Sequence, residues 1–465
     1  MSAARDRNNV GISSTGAIGR RTFLKRGLAC GAALAAPSII SKSLLGAEAP
    51  SNRVNVGQIG CGNIGSNYHI RTLGGMPDVR IVAVADAYKS RRDGAAAKLN
   101  TKYGNGTVTA YADFREILAR PDVDAVVVGA HDNWHVPMSV AALQAGKDVY
   151  CQKPLGLDFG LTGLLRKAVR EKKRIFQFGT QYRSMGRYRL MIELVRNGYI
   201  GTLQRIDLWS RDVSFNVDKY AVKPYGSAEE VPVPADLDFD AWQGPSPMVP
   251  YTVDRATCWG GYHCPETSLG FIAGCAIHEL GLAQWGNKSD DTSPIRYAGT
   301  GSVPHEGIFR TLERWDVTCE YQNGVKLRFM DFRTAKPVAM QYLRSWHPSD
   351  GVTFHGTEGW ISDAEGFCAS NQALWKQVFK PGDERLPVSP EHNRNFIDCV
   401  KSRQETICPV EMAIRCDAIC QLSTIAALTG REIRWDPREE KIVNDPEAAK
   451  MLVRPYREKW KVWST

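Results

Sequence analysis

The stretch that most constrains the fold is Val54–Gly65, which reads V-N-V-G-Q-I-G-C-G-N-I-G. A short apolar run leads directly into three glycines spaced G-x-G-x-x-G, where a buried strand would turn into a helix. A second apolar run, Arg80–Ala85, delivers Asp86 about 20 residues after Gly65, the spacing at which a carboxylate reaches the ribose hydroxyls of a dinucleotide. The stretch therefore predicts a strand, a glycine turn and a helix that together hold a dinucleotide.

The three glycines have separate roles in such a turn. Gly60 permits the tight turn, Gly62 lets the backbone approach a pyrophosphate, and Gly65 allows close packing of the helix on the strand. The helix that starts near Ile64 then offers its free N–H groups, and the positive end of its dipole, to the phosphates. We therefore predict cofactor contacts from Gly60, Gly62, Asn63, Ile64, Gly65 and Asp86.

Asp86 also predicts which dinucleotide is bound. A carboxylate at the end of this strand repels a 2′-phosphate, which favours NAD over NADP. Lys89, Arg91 and Arg92 follow closely and are suited to accept that phosphate, so NADP stays an alternative.

Residues 1–49 have the layout of an export signal. Several arginines come first, and the following segment Gly27–Ile40 is uncharged, moderately apolar and too short to span a membrane. The segment Gly19–Lys25 reads G-R-R-T-F-L-K and resembles the twin-arginine motif of signals that export folded proteins. Ala47–Ala49 offers a cleavage site. We therefore expect a periplasmic protein delivered by the twin-arginine route, with no stable membrane span.

Charge and cysteine content exclude two classes of protein. The net charge is +9, but the predicted signal holds a large share of it, so the remainder is only mildly basic and gives no case for nucleic-acid binding. The 12 cysteines are scattered along the chain, and an odd number remains once Cys30 leaves with the signal. This pattern does not indicate a disulfide framework.

Apolar, β-branched runs alternate with helical segments after Asp86. Val123–Val128, Asp148–Cys151 and Arg174–Phe178 read as buried strands, and the segments between them have helical periodicity. Such alternation indicates parallel strands covered on both faces by helices. We predict an α/β fold in which Val54–Phe178 forms a doubly wound parallel sheet of the Rossmann type.

Beyond Gly179 the periodicity changes to that of a second α/β unit. Three segments alternate as half-buried strands do, and two read as helices. The strands are Leu203–Trp209, Trp315–Glu320 and Val325–Met330, and the helices are Glu391–Val400 and Glu411–Leu428.

Several motifs stand in a characteristic order along the chain. They are Val54–Gly65, Asp132–His135 (D-N-W-H), Ala142–Pro154, Gly179–Arg183 (G-T-Q-Y-R), Asn197–Gly201, Trp242–Pro247 and Asn395–Asp436. In this order they resemble the glucose-fructose oxidoreductase, inositol dehydrogenase and MocA (Gfo/Idh/MocA) family. The resemblance implies a Rossmann domain over residues 54–178, a C-terminal α/β domain over residues 179–436 and a tail, residues 437–465, that returns onto the body. It also implies a large open antiparallel sheet, which commonly forms the interface of a homo-oligomer, a dimer or a tetramer.

The resemblance implies roles for the residues around Pro154. The family has Glu-Lys-Pro there, and its lysine hydrogen-bonds the substrate hydroxyl beside the nicotinamide, so Lys153 is expected to touch both cofactor and substrate. Gln152 and His135 are expected beside the cofactor. The neutral amide of Gln152 replaces the family's carboxylate, which favours a neutral Lys153 able to take a proton.

A second departure from the family lies on the helix that carries His278. This residue matches the family's catalytic histidine, but Gly274 and Gly281 stand where two aspartates are expected. Glu279 is adjacent and points about 100° round the helix; we predict that it contacts substrate as a substitute. Leu282 stands where an H-E-x-x-H zinc motif needs its second histidine, so no metal site is predicted.

The loop Cys258–Glu266, which reads C-W-G-G-Y-H-C-P-E, matches an aromatic family segment that enters the substrate cleft. Tyr262 or His263 is predicted to supply the acid/base function of the missing aspartate, and Trp259 to stack on a sugar face. The two cysteines of the loop lack a recognised metal-ligand spacing.

Three functions are compatible with these residues. The first is an NAD(P)-dependent oxidoreductase that acts on a hydroxyl of a sugar, polyol or glycoside, held near the domain junction by Tyr182 and Arg183. Because no soluble nicotinamide pool exists outside the cytoplasm, the cofactor should be tightly held. The alternatives are a redox-neutral glycoside cleavage, by oxidation, elimination, hydration and reduction, and a non-catalytic protein that binds a dinucleotide or a sugar.

Overall fold

The computed structural model describes residues 52–212, 225–257, 259–347 and 349–463. The predicted export signal, residues 1–49, and Cys258 of the aromatic loop lie outside these ranges. Within them, no helix combines the length and the apolar character that crossing a membrane requires.

The N-terminal sheet has six parallel strands in the order β3-β2-β1-β4-β5-β6, as the alternating pattern predicted. The chain reverses its direction of winding between β1 and β4, so a crevice opens at the carboxyl ends of the strands there. Val126, Val127 and Val128 have no exposed surface, because helices cover both faces. The strands are β1 Val54–Ile59, β2 Val79–Ala85, β3 Thr109–Tyr111, β4 Ala125–Val128, β5 Asp148–Cys151 and β6 Phe176–Phe178.

The helices of this half follow the strands in turn. The first begins as a π-helical segment, Gly65–Ile70, and continues as α1 Arg71–Leu73. The others are α2 Lys89–Tyr103, α3 Phe114–Leu118, α4 Asp132–Gln144 and, after a 3₁₀ turn at Phe159–Leu161, α5 Thr162–Lys172. Asp113 caps α3 by accepting from the N–H of Arg115 at 2.9 Å.

The C-terminal half is built on a nine-stranded sheet in the order β13-β12-β11-β7-β10-β9-β8-β14-β15. The predicted antiparallel sheet is mixed in one place: β7 and β10 pair in parallel, and the other pairs are antiparallel. The strands are β7 Leu203–Ser210, β8 Arg296–Ser302, β9 Arg314–Glu320, β10 Lys326–Asp331, β11 Gly351–Gly356, β12 Trp360–Ser362, β13 Cys368–Ala369, β14 Ile433–Asp436 and β15 Lys441–Ile442.

Helices and short turns surround this sheet. The helices are α6 Gly186–Arg196, α7 Phe239–Gln243, α8 Phe271–Gly274, α9 Ile277–Gly286, α10 Phe332–Ala339, α11 His392–Ser402, α12 Val410–Thr429 and α13 Pro446–Lys450. The 3₁₀ turns are Gln181–Ser184, Gly260–His263, Ala364–Gly366, Gln372–Lys376 and Glu458–Trp460. The long helix α12 is buried along most of its length and ends at Gly430, whose φ of 64° is the left-handed value that a C-terminal cap requires.

The two faces of the nine-stranded sheet are covered differently. Leu208 and Phe329 belong to the large core that also contains α9 and α12. On the opposite face, Trp209 and Met330 pack under α10, which lies across β7, β9 and β10. The chain itself therefore covers part of the face that the resemblance implied to be open, and the homo-oligomer stays a prediction.

Two later segments pack onto the N-terminal half. Helix α11 places Phe396 in the core beneath β1, with its ring 5.7 Å from that of Tyr150. In the C-terminal segment the carbonyl of Leu452 accepts from the N–H of Phe159 at 2.9 Å. The Rossmann half thus packs against residues far along the chain: Phe396 lies in the range that the sequence assigned to the second domain, and Leu452 lies in the predicted tail.

Candidate functional site

A cleft of about 680 Å³ lies between the two halves, at the carboxyl ends of the parallel strands. One wall follows β1, β2, β4 and β5, and the other comes from loops and helices of the C-terminal half. The first wall includes Gly60, Gly62, Asn63, Ile64, Asp86, Asp132, Gln152 and Lys153, and the second includes Tyr182, Trp259, Tyr262, Gly274 and His278.

The glycine turn forms one end of the cleft. A Cβ on Gly60, whose φ is 88°, would lie 2.3 Å from the carbonyl oxygen of Gly129, and a Cβ on Gly65 would lie 2.1 Å from the carbonyl oxygen of Gly60. The packing of the protein therefore requires both glycines. Among the described residues, a Cβ on Gly62 would meet only Arg91, at 3.8 Å, so the described part of the protein leaves the space beside Gly62 open. The turn leaves that space to a ligand.

Asp86 is fixed beside this turn by two backbone groups. Its Oδ2 accepts from the N–H of Cys61 at 2.6 Å, and its Oδ1 accepts from the N–H of Tyr88 at 2.8 Å. Burial raises the pKa of the carboxyl, and the two hydrogen bonds oppose this. Arg91 lines the same end of the cleft, with its guanidinium 3.9 Å from the centre of the Tyr88 ring. A turn open at Gly62 and an acidic acceptor beyond it are the features that a dinucleotide needs, and the residues present fit one.

Gln58 supports the turn from below, and sequence reasoning missed it. Its side chain is fully buried, and its Nε2 donates to the carbonyl of Gly60 at 2.8 Å. The available signal was a glutamine inside an otherwise apolar strand, because a buried amide needs hydrogen-bond partners inside the protein.

Lys153 connects the two walls of the cleft. Its Nζ donates to the carbonyl oxygen of Gly274 at 2.6 Å, and it lies 5.6 Å from the ring centre of Tyr262. A Cβ on Gly274 would come within 3.0 Å of Cδ1 of Tyr262. The tyrosine ring therefore fills the space in which an aspartate at position 274 would begin, and of the substitutes that the sequence left open it is the one that lines the cleft.

His278 faces the cleft from helix α9. Its ring stacks on that of Tyr182 at 4.7 Å between centroids, and its Nδ1 has no hydrogen-bond partner among the described residues. Burial, and then the charge of Lys153, lower the pKa of the imidazole well below its usual value. His278 is therefore a neutral imidazole, able to accept a proton but not held by a carboxylate.

Three residues that the sequence predicted to act on substrate do not line the cleft, and neither does Gly65, a predicted cofactor contact. His263 is 1 % exposed and packs between the rings of Phe271 and Phe309, and burial lowers its pKa to about 3. The 3₁₀ turn at Gly260–His263 sends Tyr262 toward the cleft and the next side chain away from it.

The other two, Arg183 and Glu279, are also buried behind the cleft wall. Arg183 pairs with Asp290, with its nearest contact at 2.6 Å, and donates to the carbonyl of Gly281 at 2.7 Å, because a buried guanidinium needs such partners. Glu279 is 1 % exposed, and burial, Asp350 and Asp363 raise the pKa of its carboxyl. Its position one residue after His278 turns it away from the cleft.

His135 lines the cleft but does not direct its ring nitrogens into it. Nδ1 lies 2.6 Å from the carbonyl oxygen of Pro154, and Nε2 lies 3.1 Å from that of Ala130. Burial lowers the pKa of the ring to about 4, so the ring is neutral and carries one N–H. We place that N–H on Nδ1, which makes the shorter contact, with the carbonyl oxygen of Pro154. The residue fixes the Lys153–Pro154 turn, and its predicted contact with a cofactor stays a prediction.

Sequence reasoning also missed Asp132, the first residue of α4. This carboxyl is 4 % exposed, lines the cleft, and accepts from the hydroxyl of Ser268 at 2.6 Å. Burial raises its pKa to about 7, although Ser268 and Lys153 act in the opposite direction. An acidic residue soon after the apolar run of β4 repeats the pattern of Asp86 after β2, and that repetition was the available signal.

Comparison with known proteins identifies both halves of the chain. Residues 54–180 match the model described as "Oxidoreductase family, NAD-binding Rossmann fold", and residues 188–462 match "Oxidoreductase family, C-terminal alpha/beta domain". Inositol 2-dehydrogenase of Rhizobium meliloti is 31% identical over 161 residues, which are 35% of this chain and 46% of that protein. Myo-inositol 2-dehydrogenase of Thermotoga maritima is 30% identical over 159 residues, 34% of this chain and 46% of that protein. The matches thus span less than half the length of these relatives.

A solved structure shares the fold over a larger part of the chain. The WlbA dehydrogenase from Bordetella pertussis, in complex with NADH and UDP-GlcNAcA, superposes with a TM-score of 0.60 and 16% sequence identity. The superposition covers 83% of this chain and 98% of that one.

The glycine turn yields the first testable prediction. Gly62→Ala should fold normally and bind NAD about tenfold or more weakly, because the added methyl has room within the protein but occupies the ligand's space. Gly60→Ala is the contrasting variant, and it should lower the melting temperature because its Cβ meets backbone. Calorimetric titration with NAD and thermal unfolding measure the two effects. Wild-type affinity in Gly62→Ala would contradict the assignment.

The pKa of Asp132 yields the second prediction. The pKa of the Asp132 carboxyl is about 7 in the folded protein and about 3.9 in the unfolded chain. The folded protein therefore binds the carboxyl proton more tightly, and ionisation of Asp132 lowers the free energy of unfolding progressively as pH rises from about 4 to about 7. Asp132→Asn removes this cost. It should therefore be more stable than wild type above about pH 7, on the order of 2–4 kcal/mol, and equal to it near pH 4.

Urea unfolding at about pH 4, 6 and 8 tests this prediction. Asp78→Asn is the control of opposite sign. Burial raises the pKa of that carboxyl, but hydrogen bonds from Arg394 and Lys401 overcome it and lower the pKa to about 2, so this variant should lose stability above pH 4. A stability difference between Asp132→Asn and wild type that is the same at all three pH values would refute the assignment.

Proposed function

Because the chain belongs to the Gfo/Idh/MocA oxidoreductase family, we propose that it is an NAD-dependent oxidoreductase acting on a hydroxyl of a sugar, a polyol or a glycoside. One observation carries this proposal: a single cleft holds the open glycine turn with Asp86 at one end and Lys153, Tyr262 and His278 at the other. The inositol dehydrogenases among the relatives support a polyhydroxylated substrate.

The residues at the second end have complementary roles. When bound, the nicotinamide exchanges a hydride with the carbon that carries the hydroxyl. Lys153, whose amine is already directed by the carbonyl of Gly274, orients that hydroxyl with its remaining hydrogen-bond donors. His278 takes the proton of the hydroxyl, because its imidazole is neutral. The ring of Tyr262 lies where the side chain of an aspartate at position 274 would begin, which supports it as the substitute for the family's aspartate.

The aromatic side chains suit the shape of a sugar or cyclitol. Trp259 and Tyr262 line the cleft with their ring centres 5.9 Å apart, and Tyr182 lines it beside His278. Flat apolar faces pack against the C–H faces of such rings, while the polar groups reach their hydroxyls. The cleft therefore favours a ring-shaped substrate with hydroxyls at its rim.

We also propose that the protein acts outside the cytoplasm and retains its cofactor. The twin-arginine motif at Gly19–Lys25 supports this location, and the absence of a soluble nicotinamide pool there requires a cofactor that is re-oxidised or re-reduced in place. A single bound cofactor can serve two successive substrates in turn, or the two halves of one reaction cycle.

Asp132 favours a second candidate, redox-neutral glycoside cleavage. In that cycle, oxidation of one hydroxyl acidifies a neighbouring C–H bond, so elimination needs a further group to remove and return protons. A carboxyl in the same cleft with a pKa of about 7 is suited to that work. Release of an aglycone from a panel of glycosides, without net reduction of the cofactor, would support cleavage, and no release from any of them would count against it.

Lys153→Met is the variant that tests the oxidoreductase. It should retain NAD binding and lose activity toward responsive polyols or sugars by about 10²–10⁴-fold, because the group that orients the hydroxyl is gone. Lys172→Met, at the exposed end of α5, is the matched control and should keep wild-type kinetics. Steady-state turnover with myo-inositol, glucose and glucosides supplies the measurement.

Two results would contradict the proposal in different ways. Activity in Lys153→Met within about threefold of wild type would remove the lysine from the mechanism. If wild type bound NAD but exchanged no hydride with any labelled substrate, the non-catalytic binding function would be favoured instead.

A further inference from the structure

Few carboxylates line the cleft near the end of β5. Among the described residues that line it, the only carboxylates are Asp86, beside the glycine turn, and Asp132, whose pKa is raised to about 7. Gln152 also lines the cleft, with a neutral amide where the family resemblance implies a glutamate. The amide is 2 % exposed, so its hydrogen bonds are made inside the protein.

The Gln152 side chain has one defined orientation. Its Oε1 accepts from the N–H of Lys153 at 3.2 Å, and its Nε2 lies 2.7 Å from Nε2 of His69. A Cβ on Gly179 would lie 3.1 Å from the same Oε1, so a glycine at that position leaves room for the amide. Because the amide nitrogen is a donor, Nε2 of His69 must be the acceptor.

His69 is a neutral partner for this amide. Its side chain is fully buried, and burial lowers its pKa to about 3, with His392 acting in the same direction. Its Nδ1 lies 3.0 Å from Oδ1 of Asn393 and therefore carries the single ring proton. Asn393 in turn donates to the hydroxyl of Thr72 at 2.5 Å. The whole chain of contacts from Gln152 inward contains no ionised group.

The uncharged amide of Gln152 matters because of where the cofactor is expected to lie. In a Rossmann sheet the acidic residue after β2 binds the ribose of the adenosine half and the glycine turn binds the pyrophosphate, so the other half of the dinucleotide extends toward the ends of β4 and β5. The oxidised nicotinamide ring carries a positive charge and the reduced ring carries none. A carboxylate near it would stabilise the oxidised form selectively, whereas an amide would not.

We propose that the uncharged amide of Gln152, which His69 holds in place, keeps a carboxylate away from the nicotinamide, and that the cleft therefore binds NADH more tightly relative to NAD⁺ than it would with an acidic residue at this position. The inference rests on the proposed function, because it requires that NAD binds in this cleft. Its consequence is that the reduced cofactor stays bound after the first half of a reaction, until a second substrate or an intermediate takes the hydride back. This is the property that a protein with a retained cofactor needs.

The test is the ratio of two dissociation constants, Kd for NADH divided by Kd for NAD⁺. Calorimetric titration of the full chain, freed of retained nucleotide with charcoal, gives both values at about pH 8.5. Gln152→Glu should raise the ratio about tenfold or more, because one negative charge is added beside the nicotinamide. The hydrogen-bond chain can receive it: His69 can donate from Nε2 after a change of tautomer, and the Asn393 amide can then flip so that its nitrogen donates to Nδ1.

Two further variants separate charge from other effects. Gln152→Met removes the hydrogen bond without adding charge, so it should weaken both forms alike and leave the ratio within twofold of wild type. Gln404→Glu adds a carboxylate on the exposed surface after α11 and should leave both constants unchanged.

The outcomes distinguish this inference from the proposed function. If wild type binds neither form, the proposed function fails. If wild type binds both forms and Gln152→Glu leaves the ratio within twofold, only the role of Gln152 is overturned. Should Gln152→Glu not fold, Gln152→Met can still overturn the inference, because a ratio that changes more than twofold in this neutral variant would show that hydrogen bonding, not charge, sets the preference.

Discussion

The hydrogen bond from Lys153 to the carbonyl of Gly274 joins the two halves of the protein at the end of the cleft where we place the chemistry. The lysine follows β5 of the parallel sheet, and the carbonyl belongs to the last residue of α8, so neither half alone forms this end of the site. Gly274 also matters through its missing side chain, which leaves room for the ring of Tyr262. The ring of Tyr262 therefore occupies the place where the side chain of an aspartate at position 274 would begin.

Burial sets the charges around that hydrogen bond. It keeps His69 and His278 neutral and raises the pKa of Asp132. The ion pair of Arg183 with Asp290 lies behind the wall and holds the scaffold. The cleft therefore presents neutral acceptors and aromatic faces near Lys153, and an acidic group, Asp86, at the opposite end beside the glycine turn. This polarity gives a dinucleotide one direction in which to lie.

The sequence was sufficient to predict those parts of the structure that depend on local patterns of residues. The β-branched run that forms β4 and the glycines that follow β1 predicted the parallel sheet and its crevice, because burial on both faces and a tight turn restrict residue type strongly. Contacts between distant residues were not predictable in this way. The place of Phe396 under the Rossmann sheet depends on tertiary packing that no local periodicity records. The parallel pairing of β7 with β10 is a non-local feature of the same kind.

The site residues divide along the same line. Gly60, Gly62 and Asp86 could be proposed from their spacing, whereas Glu279 and His263 could not be placed, because adjacency in sequence does not give the direction of a side chain.

The central claim, that the cleft is built to retain a nicotinamide dinucleotide, is tested most directly by mass spectrometry of the small molecules released when the purified native protein is denatured. We expect about one NAD(H) per chain, mainly reduced. A protein that releases no dinucleotide, and binds none when NAD and NADH are added, would contradict it.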